Sequence, residues 1–426
     1  MLSVARICNW CNSFPLTHLA VLAIFVLLGI NRNLPNELFY YKGVGLPEGM
    51  VLVAFLSMLF KRASRQEILK EAWVLRSFII AGLTFALLGF VSLLVNTQRY
   101  GVDARDYLEV FRYACYLGIT VFSAVMTRRY GLSPLIAFAV GILITGVVAW
   151  LNPSIPNIEG IDIRMIYNPN VIGNVLAIAM VIGSIIILRG EEAIGMALAC
   201  FAAVISFYTF SKGTWLMVAL AIGACFIALL AGREKGTRFS RSLGWGFFAL
   251  LIVLSFVFNQ IITSVVEAKI AATQFGSTAA EGGSVAARWG LLVSAYNMFL
   301  MDPFFGVGLS NFETVNEMIR PQLGALFYQD DNPNNVWLYI LGCMGLPAFL
   351  SFLWIFLYCA LHFLRAPIKH RVLQVVYAVL AALILFIGSS FMLQVLTGVY
   401  FWSLLGFLVG SFLPRPSSYP LCLEKL

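Results

Sequence analysis

Residues 77–95 read SFIIAGLTFALLGFVSLLV, a continuous apolar run without a single charge. At ~1.5 Å per residue such a run, wound as a helix, matches the ~30 Å hydrocarbon core of a bilayer. A helix also satisfies its own backbone polar groups, which a lipid environment demands. Runs of this type recur near 16–30, 44–60, 77–95, 110–126, 131–151, 170–188, 194–210, 214–231, 243–262, 335–357, 372–394 and 398–413. Composition agrees: 61% of residues are hydrophobic, 11% are charged and the mean hydropathy is +0.89. A soluble domain carries about 25% charged residues. A β-barrel would show short alternating segments instead of continuous ones. The expected fold class is therefore an all-α integral membrane protein with about twelve transmembrane helices.

Lys and Arg give the orientation. With the N-terminus inside, most of the 28 basic residues fall on the inner side: Arg6, the group from Lys61 to Arg76, Arg128, Arg129, Arg189, the group from Arg233 to Arg241, Arg365, Lys369, Arg371, Arg415 and Lys425. Acidic residues fall mostly outside. This bias predicts both termini in the cytoplasm. The net charge of +8 is then a topology signal, and no nucleic-acid partner is expected, because no basic face is gathered on one soluble domain. No cleavable signal peptide is expected, since NRNLP follows the first apolar run without a small-residue cleavage site. Cys115, Cys200, Cys225, Cys343 and Cys359 lie within apolar runs as small apolar residues. Cys8 and Cys11 form a lone CxxC, without a second pair or a neighbouring His to make a metal site. No metal and no cofactor is expected.

The connections on the outer side are unequal. Three regions follow: helices one to nine over 1–258, a large outer loop over 259–334, and helices ten to twelve with a cytoplasmic tail over 335–426. The loop contains SVVEAKIAATQF, a Gly/Ala/Ser-rich stretch, and then RWGLLVSAYNMFLMDPFFGVGLSNF. The apolar side of Trp289, Leu292, Val293, Tyr296 and Met298–Leu300 predicts a short helix lying at the membrane interface. Pro303, Gly306 and Gly308 predict turns after it. A long structured loop among minimal connections is a functional signal.

Candidate chemistry gathers on that outer face. Asp330, Asp331, Asn332, Asn334 and Asn335 stand where an apolar helix begins, and polar groups at such a depth are more often functional than decorative. Arg288 opens the short helix and could grip phosphate with its fork of donors, or snorkel to lipid headgroups. Lys212 sits in a turn of only Ser211, Lys212 and Gly213, as an anion-binding point charge or a plain loop lysine. Arg164 precedes NPN at 168–170, where Asn168 and Asn170 are also plausible helix caps. Arg112 lies about one turn inside its helix. It can pair with Glu109, which is also spaced to Arg105, or face a wet cavity. Several cations, a few carboxylates and a long loop suit a polyanionic lipid headgroup such as a lipid pyrophosphate. Expelling pyrophosphate needs charge stabilisation, and an attacking sugar hydroxyl needs a base. No GxxxxGK[ST] nucleotide loop is present.

Four stretches carry a family resemblance: NPNVIGNVLA (168–177), FSKGTWLMVAL (210–220), RWGLLVSAYNMFLMDPFFGVGLSNF (288–312) and NPNNVWLYILGCMGLPAFL (332–350). In this order they are similar to landmarks of the O-antigen ligase and Wzy-type polymerase superfamily of bacterial envelope glycan enzymes. The resemblance implies a helical glycosyltransferase of the GT-C-like kind in the bacterial inner membrane, its large loop periplasmic. It implies transfer of a glycan from undecaprenyl pyrophosphate to an acceptor hydroxyl, without a nucleotide sugar or metal. Implied partners are the undecaprenyl-pyrophosphate-linked oligosaccharide, an acceptor glycan or lipid A-core, membrane lipids and a chain-length regulator. Carried over by position, Arg288 and Lys212 would bind the pyrophosphate.

Two positions depart from the family pattern. Lys212 replaces the usual Arg, and Asn334 stands where ligases usually have His, followed by a matching Asn335. The three histidines, His18, His362 and His370, fall on or near the cytoplasmic side. Asp330 or Asp331 is then the expected base, with Glu313 and Glu317 behind them. The departures favour a polysaccharide polymerase over a lipid A-core ligase. A lipid-linked sugar transporter or flippase, and an inactive relative, are the other readings.

Overall fold

The computed structural model describes residues 16–30, 40–41, 44–45, 72–101, 104–151, 169–188, 192–207, 284–309, 311–323, 335–365 and 399–412, with isolated positions between 49 and 70 and between 218 and 225. In chain order the elements are α1 (Leu16–Gly29), β1 (Tyr40–Tyr41), β2 (Val44–Gly45), α2 (Arg76–Tyr100), α3 (Ala104–Tyr130), α4 (Ser133–Leu151), α5 (Pro169–Leu188), α6 (Glu192–Phe207), α7 (Ser284–Met301), α8 (Phe312–Leu323), α9 (Val336–Arg365) and α10 (Val399–Phe412). The expected spans at 243–262 and 372–394 lie outside the described residues. Among the described residues, the strand structure is a two-residue antiparallel ladder pairing Tyr40 with Gly45 and Tyr41 with Val44. It takes up the first residues of the run expected as the second span.

Among the described residues, three helical stretches are long and apolar enough to cross a membrane: Arg76–Tyr100, Val110–Tyr130 and Val336–Cys359. Shorter apolar helices accompany them. The outward faces are apolar as well. Ile80, Leu83, Leu87, Phe90 and Leu94 form one exposed stripe on α2, and Leu346, Leu350, Trp354, Leu357 and Leu361 form another on α9. Such stripes, at helical spacing, are what a lipid-facing surface requires.

Apolar helices gain nothing in lipid by merely hiding apolar surface from one another, so close packing and polar links hold them together. The close contacts occur at glycines. A Cβ at Gly195 on α6 would stand 2.5 Å from the carbonyl oxygen of Gly183 on α5. Gly29 of α1 lies against Gly141 of α4, and Thr145 donates to the Gly29 carbonyl at 3.1 Å. Gly406 and Gly410 let α10 lie on α3, with Thr120 donating to the Trp402 carbonyl at 3.0 Å. An aromatic centre of Phe25, Phe122, Phe138 and Phe407 ties α1, α3, α4 and α10 together.

α2 and α9 are fastened along their length. Ser351 donates to the Ala81 carbonyl at 2.7 Å, Trp354 to Ser77 at 3.0 Å, and Tyr358 to the Val74 carbonyl at 3.0 Å. As the α9 position advances from 351 to 358, its partner recedes from Ala81 through Ser77 to Val74, just before α2, so the two helices run antiparallel.

Candidate functional site

α9 is broken in its apolar part. Gly345 has φ 78 and ψ 179, outside helical geometry, and Pro347 follows it. Each disturbs one rung of the helix. Pro347 has no N–H, so the carbonyl of Cys343 loses its intrahelical donor. The turn at Gly345 aims the Leu346 N–H away from the Gly342 carbonyl. Gly345 follows Val336 by nine positions, roughly 14 Å along the helix. Backbone groups left open at that depth need partners from the protein itself.

The segment after α7 supplies them. Val307 donates to the Gly342 carbonyl at 3.0 Å, and Gly308 donates to the Cys343 carbonyl at 2.9 Å. Leu346 donates in turn to the Pro303 carbonyl at 2.8 Å. Pro303 thus lies at Leu346, and Val307 at Gly342. Farther on, the Tyr339 hydroxyl bonds to the Leu309 carbonyl, with Phe312 and Tyr339 rings 5.7 Å apart. The chain therefore reverses at the break and climbs back toward the start of α9. α7, this loop and α8 form a hairpin whose tip is seated in the broken helix.

Glycines permit the seating. Gly306 and Gly308 have φ 62 and 97, values that suit glycine and bear out the expected turns. A Cβ at Gly306 would stand 2.6 Å from the Gly342 carbonyl oxygen, and one at Gly342 would stand 2.6 Å from the Ala295 carbonyl oxygen. The Gly-x-Gly of 306–308 and the Gly-x-x-Gly of 342–345 are two halves of one backbone-to-backbone contact.

α7 packs one face against α9. It buries Leu291, Ala295 and Met298, with Ala295 facing Gly342 of α9. Its outward residues Tyr296, Leu300 and Met301 are exposed. α8 is amphipathic, burying Phe312, Val315 and Ile319 while Glu313 and Glu317 point outward.

Three α2 residues hold the loop from the other side. Ser92 donates to the carbonyls of Phe305 (2.5 Å) and Cys343 (2.9 Å), with its hydroxyl proton shared between them. Asn96 donates to the Gly306 carbonyl at 3.0 Å. Arg99 pairs with Asp302 at 3.9 Å. Asp302 also accepts from the Phe304 and Phe305 amides, closing a turn. The Arg99 side chain is 61% exposed, and exposed ion pairs contribute ~0–1 kcal/mol. The fully buried Ser92 and Asn96 are the stronger fastening.

Of the residues expected to act, Asn335 is the best defined. Its side-chain oxygen accepts from the Trp337 and Leu338 amides at 3.0 and 3.1 Å, so it caps α9. Arg288 lies on α7, within its first turns. Ala295 and Gly342 are each seven positions beyond Arg288 and Asn335, so this contact brings the two helix starts to the same side of the hairpin. Arg112 is half-buried on α3. Lys212, Arg164, Asp330, Asp331 and Asn334 lie outside the described residues, as does the Arg288 side chain. His362 hydrogen-bonds the Tyr358 carbonyl near the far end of α9, roughly 40 Å of helix from Asn335. It cannot serve chemistry at the Asn335 end.

Residues 196–353 match the family described as O-antigen ligase (Wzy_C). The similarity is confined to that segment. It runs from α6 to the middle of α9 and contains the whole hairpin and the break. Lys212, Arg288, Asp330, Asp331, Asn334 and Asn335 fall inside it, whereas Arg112, Arg164, Ser92 and Asn96 fall outside. No curated protein gives a match.

Sequence reasoning missed the α9 break and the Ser92–Asn96 fastening. Signals for both exist. Gly345 and Pro347 are helix breakers inside an apolar run. Ser92 and Asn96 are polar at i, i+4 in one, which places them on a single face.

Proposed function

We propose that this chain is an inner-membrane polysaccharide polymerase. It transfers an undecaprenyl-pyrophosphate-linked glycan to the hydroxyl of an acceptor sugar on the periplasmic side. The observation that carries this reading is the O-antigen ligase match over 196–353, which takes in Arg288, Lys212 and the 330–335 stretch. The acceptor oxygen attacks the anomeric carbon, and the bond to pyrophosphate breaks. Arg288 and Lys212 stabilise the negative charge of the leaving pyrophosphate, with Arg164 and Arg112 as further cations at the outer mouth. Asp330 or Asp331 takes the hydroxyl proton. Asn334 has no basic group for that task, and with Asn335 it serves to orient the acceptor.

A second reading, transfer of the glycan to lipid A-core, is favoured by the description of the matched family. Asn334 in the usual His position weighs against it. Deletion of the gene, read on one gel for lipopolysaccharide and one for secreted polymer, separates the two. The polymerase reading expects loss of long-chain polymer. Loss of every repeat from core, with lipid-linked polymer accumulating, makes the protein a ligase. Unchanged profiles on both gels reject both. Within the polymerase reading, Arg288→Ala abolishes polymer at normal membrane levels of protein, and Lys212→Arg is tolerated whereas Lys212→Ala is not.

A further inference from the structure

α7 and α9 meet at Ala295 and Gly342, a contact between small residues that lets backbones approach closely. Directed bonds fix their axial register further. These are the loop amides of Val307 and Gly308 on the carbonyls of Gly342 and Cys343, and the Leu346 amide on the Pro303 carbonyl. Those bonds persist only while the loop stays in the break. Ser92 and Asn96 grip it there: Ser92 bridges the loop carbonyl of Phe305 and the α9 carbonyl of Cys343, and Asn96 takes the Gly306 carbonyl. Both side chains are fully buried, so water does not compete for these bonds. The Asn96 donor is tied twice, since it also reaches the Ser92 carbonyl at 2.9 Å.

We infer that Ser92 and Asn96 are positioning residues for glycan transfer. By clamping the 302–309 loop into the α9 break, they set the register of α7, which carries Arg288, against α9, which begins beside Asn335. The inference rests on the transferase reading above. Both residues lie outside the segment that matches the O-antigen ligase family, so the clamp is a contribution of α2 to that segment. Misplacement of reacting groups by about 1 Å can cost ~100-fold in rate. Loosening the register therefore acts on turnover more than on donor binding.

The test compares Ser92→Ala and Asn96→Ala with Ser351→Ala. Ser351 makes the same kind of α2–α9 bond, to the Ala81 carbonyl, but away from the loop. Each variant is reconstituted in vesicles with undecaprenyl-pyrophosphate-linked repeat unit purified from cells lacking this gene. Turnover is measured alongside amide hydrogen exchange of the full-length protein. The expected result for Ser92→Ala and Asn96→Ala is faster exchange across 304–309 and at Leu346. Their kcat falls about tenfold or more at an unchanged KM for the donor. Ser351→Ala lowers the melting temperature to a similar extent but leaves kcat and loop exchange as in the wild type. Unchanged exchange in Ser92→Ala and Asn96→Ala overturns the clamp. Faster exchange with unchanged kcat overturns the positioning role. An equal loss of kcat in Ser351→Ala overturns it too, by reducing the effect to general loosening. A wild-type protein without transfer activity sinks the transferase reading and the positioning role with it, while exchange still decides the clamp.

Discussion

A single residue, Asn335, stands at the join between structure and chemistry. As the cap of α9 it satisfies two amides that the first turn of the helix leaves open. Serine and aspartate cap helices about as well as asparagine, and alanine does not. Asn335→Ala should therefore lower stability by about 1 kcal/mol, measured as a drop in melting temperature in detergent. Asn335→Ser should keep that stability. If Asn335 also orients the acceptor, Asn335→Ser retains the fold and loses turnover. Full activity in Asn335→Ser confines the residue to capping. The resemblance had marked Asn335 as a family position, but capping follows from where the helix starts, and apolar periodicity locates a helix end only to within a few residues.

Elements in this protein are joined by contacts of different strength. Gly410 of α10 sits where a Cβ would stand 2.5 Å from the Ala124 carbonyl oxygen of α3, so a side chain there pushes two backbones apart. Gly118, on the same helix α3, has nothing within 4 Å of its would-be Cβ. Gly410→Val should thus dislodge α10 and lower the yield of folded protein, whereas Gly118→Ala should be neutral or slightly stabilising, by ~0.5–1 kcal/mol through helix propensity. Size-exclusion profiles and melting curves of the two variants decide this, and similar behaviour would refute the packing account. The sequence shows a G-x-x-x-G pattern at 406–410 but not the helix it meets. At the Thr120–Trp402 bond that partner is 282 positions away in the chain, a separation local pattern does not report.

At the scale of the whole molecule, the exposed apolar stripes of α2 and α9 and the three long apolar helices among the described residues fit a membrane protein, and the sequence excess of Lys and Arg on one side predicts its orientation. Arg128 and Arg129 close the last turn of α3 at one end of the bundle, and Asn335 opens α9 at the other. A reporter fused after residue 323 is expected to be active on the periplasmic side, and one fused after residue 365 on the cytoplasmic side. Equal activity of a periplasm-dependent reporter at both sites would reverse or break this topology.

The amino-acid order by itself determined the membrane class and the positions of the longest helices, because a bilayer imposes a length and an apolarity that any span must display. It also marked the turns at Pro303, Gly306 and Gly308, since those conformations are open to few residue types. It led to the ligase-type resemblance through four motifs, of which those at 210–220, 288–312 and 332–350 fall inside the 196–353 match. Only the tertiary structure decided that the Gly-x-Gly loop and the Gly-x-x-Gly helix belong to one contact. Only it decided that α7 packs on α9, and that Ser92 and Asn96 hold the loop in the break. The physical reason is that carbonyls freed by Gly345 and Pro347 can be satisfied by any nearby donor. Which donor comes near is settled by how distant segments pack, not by the residues beside the break.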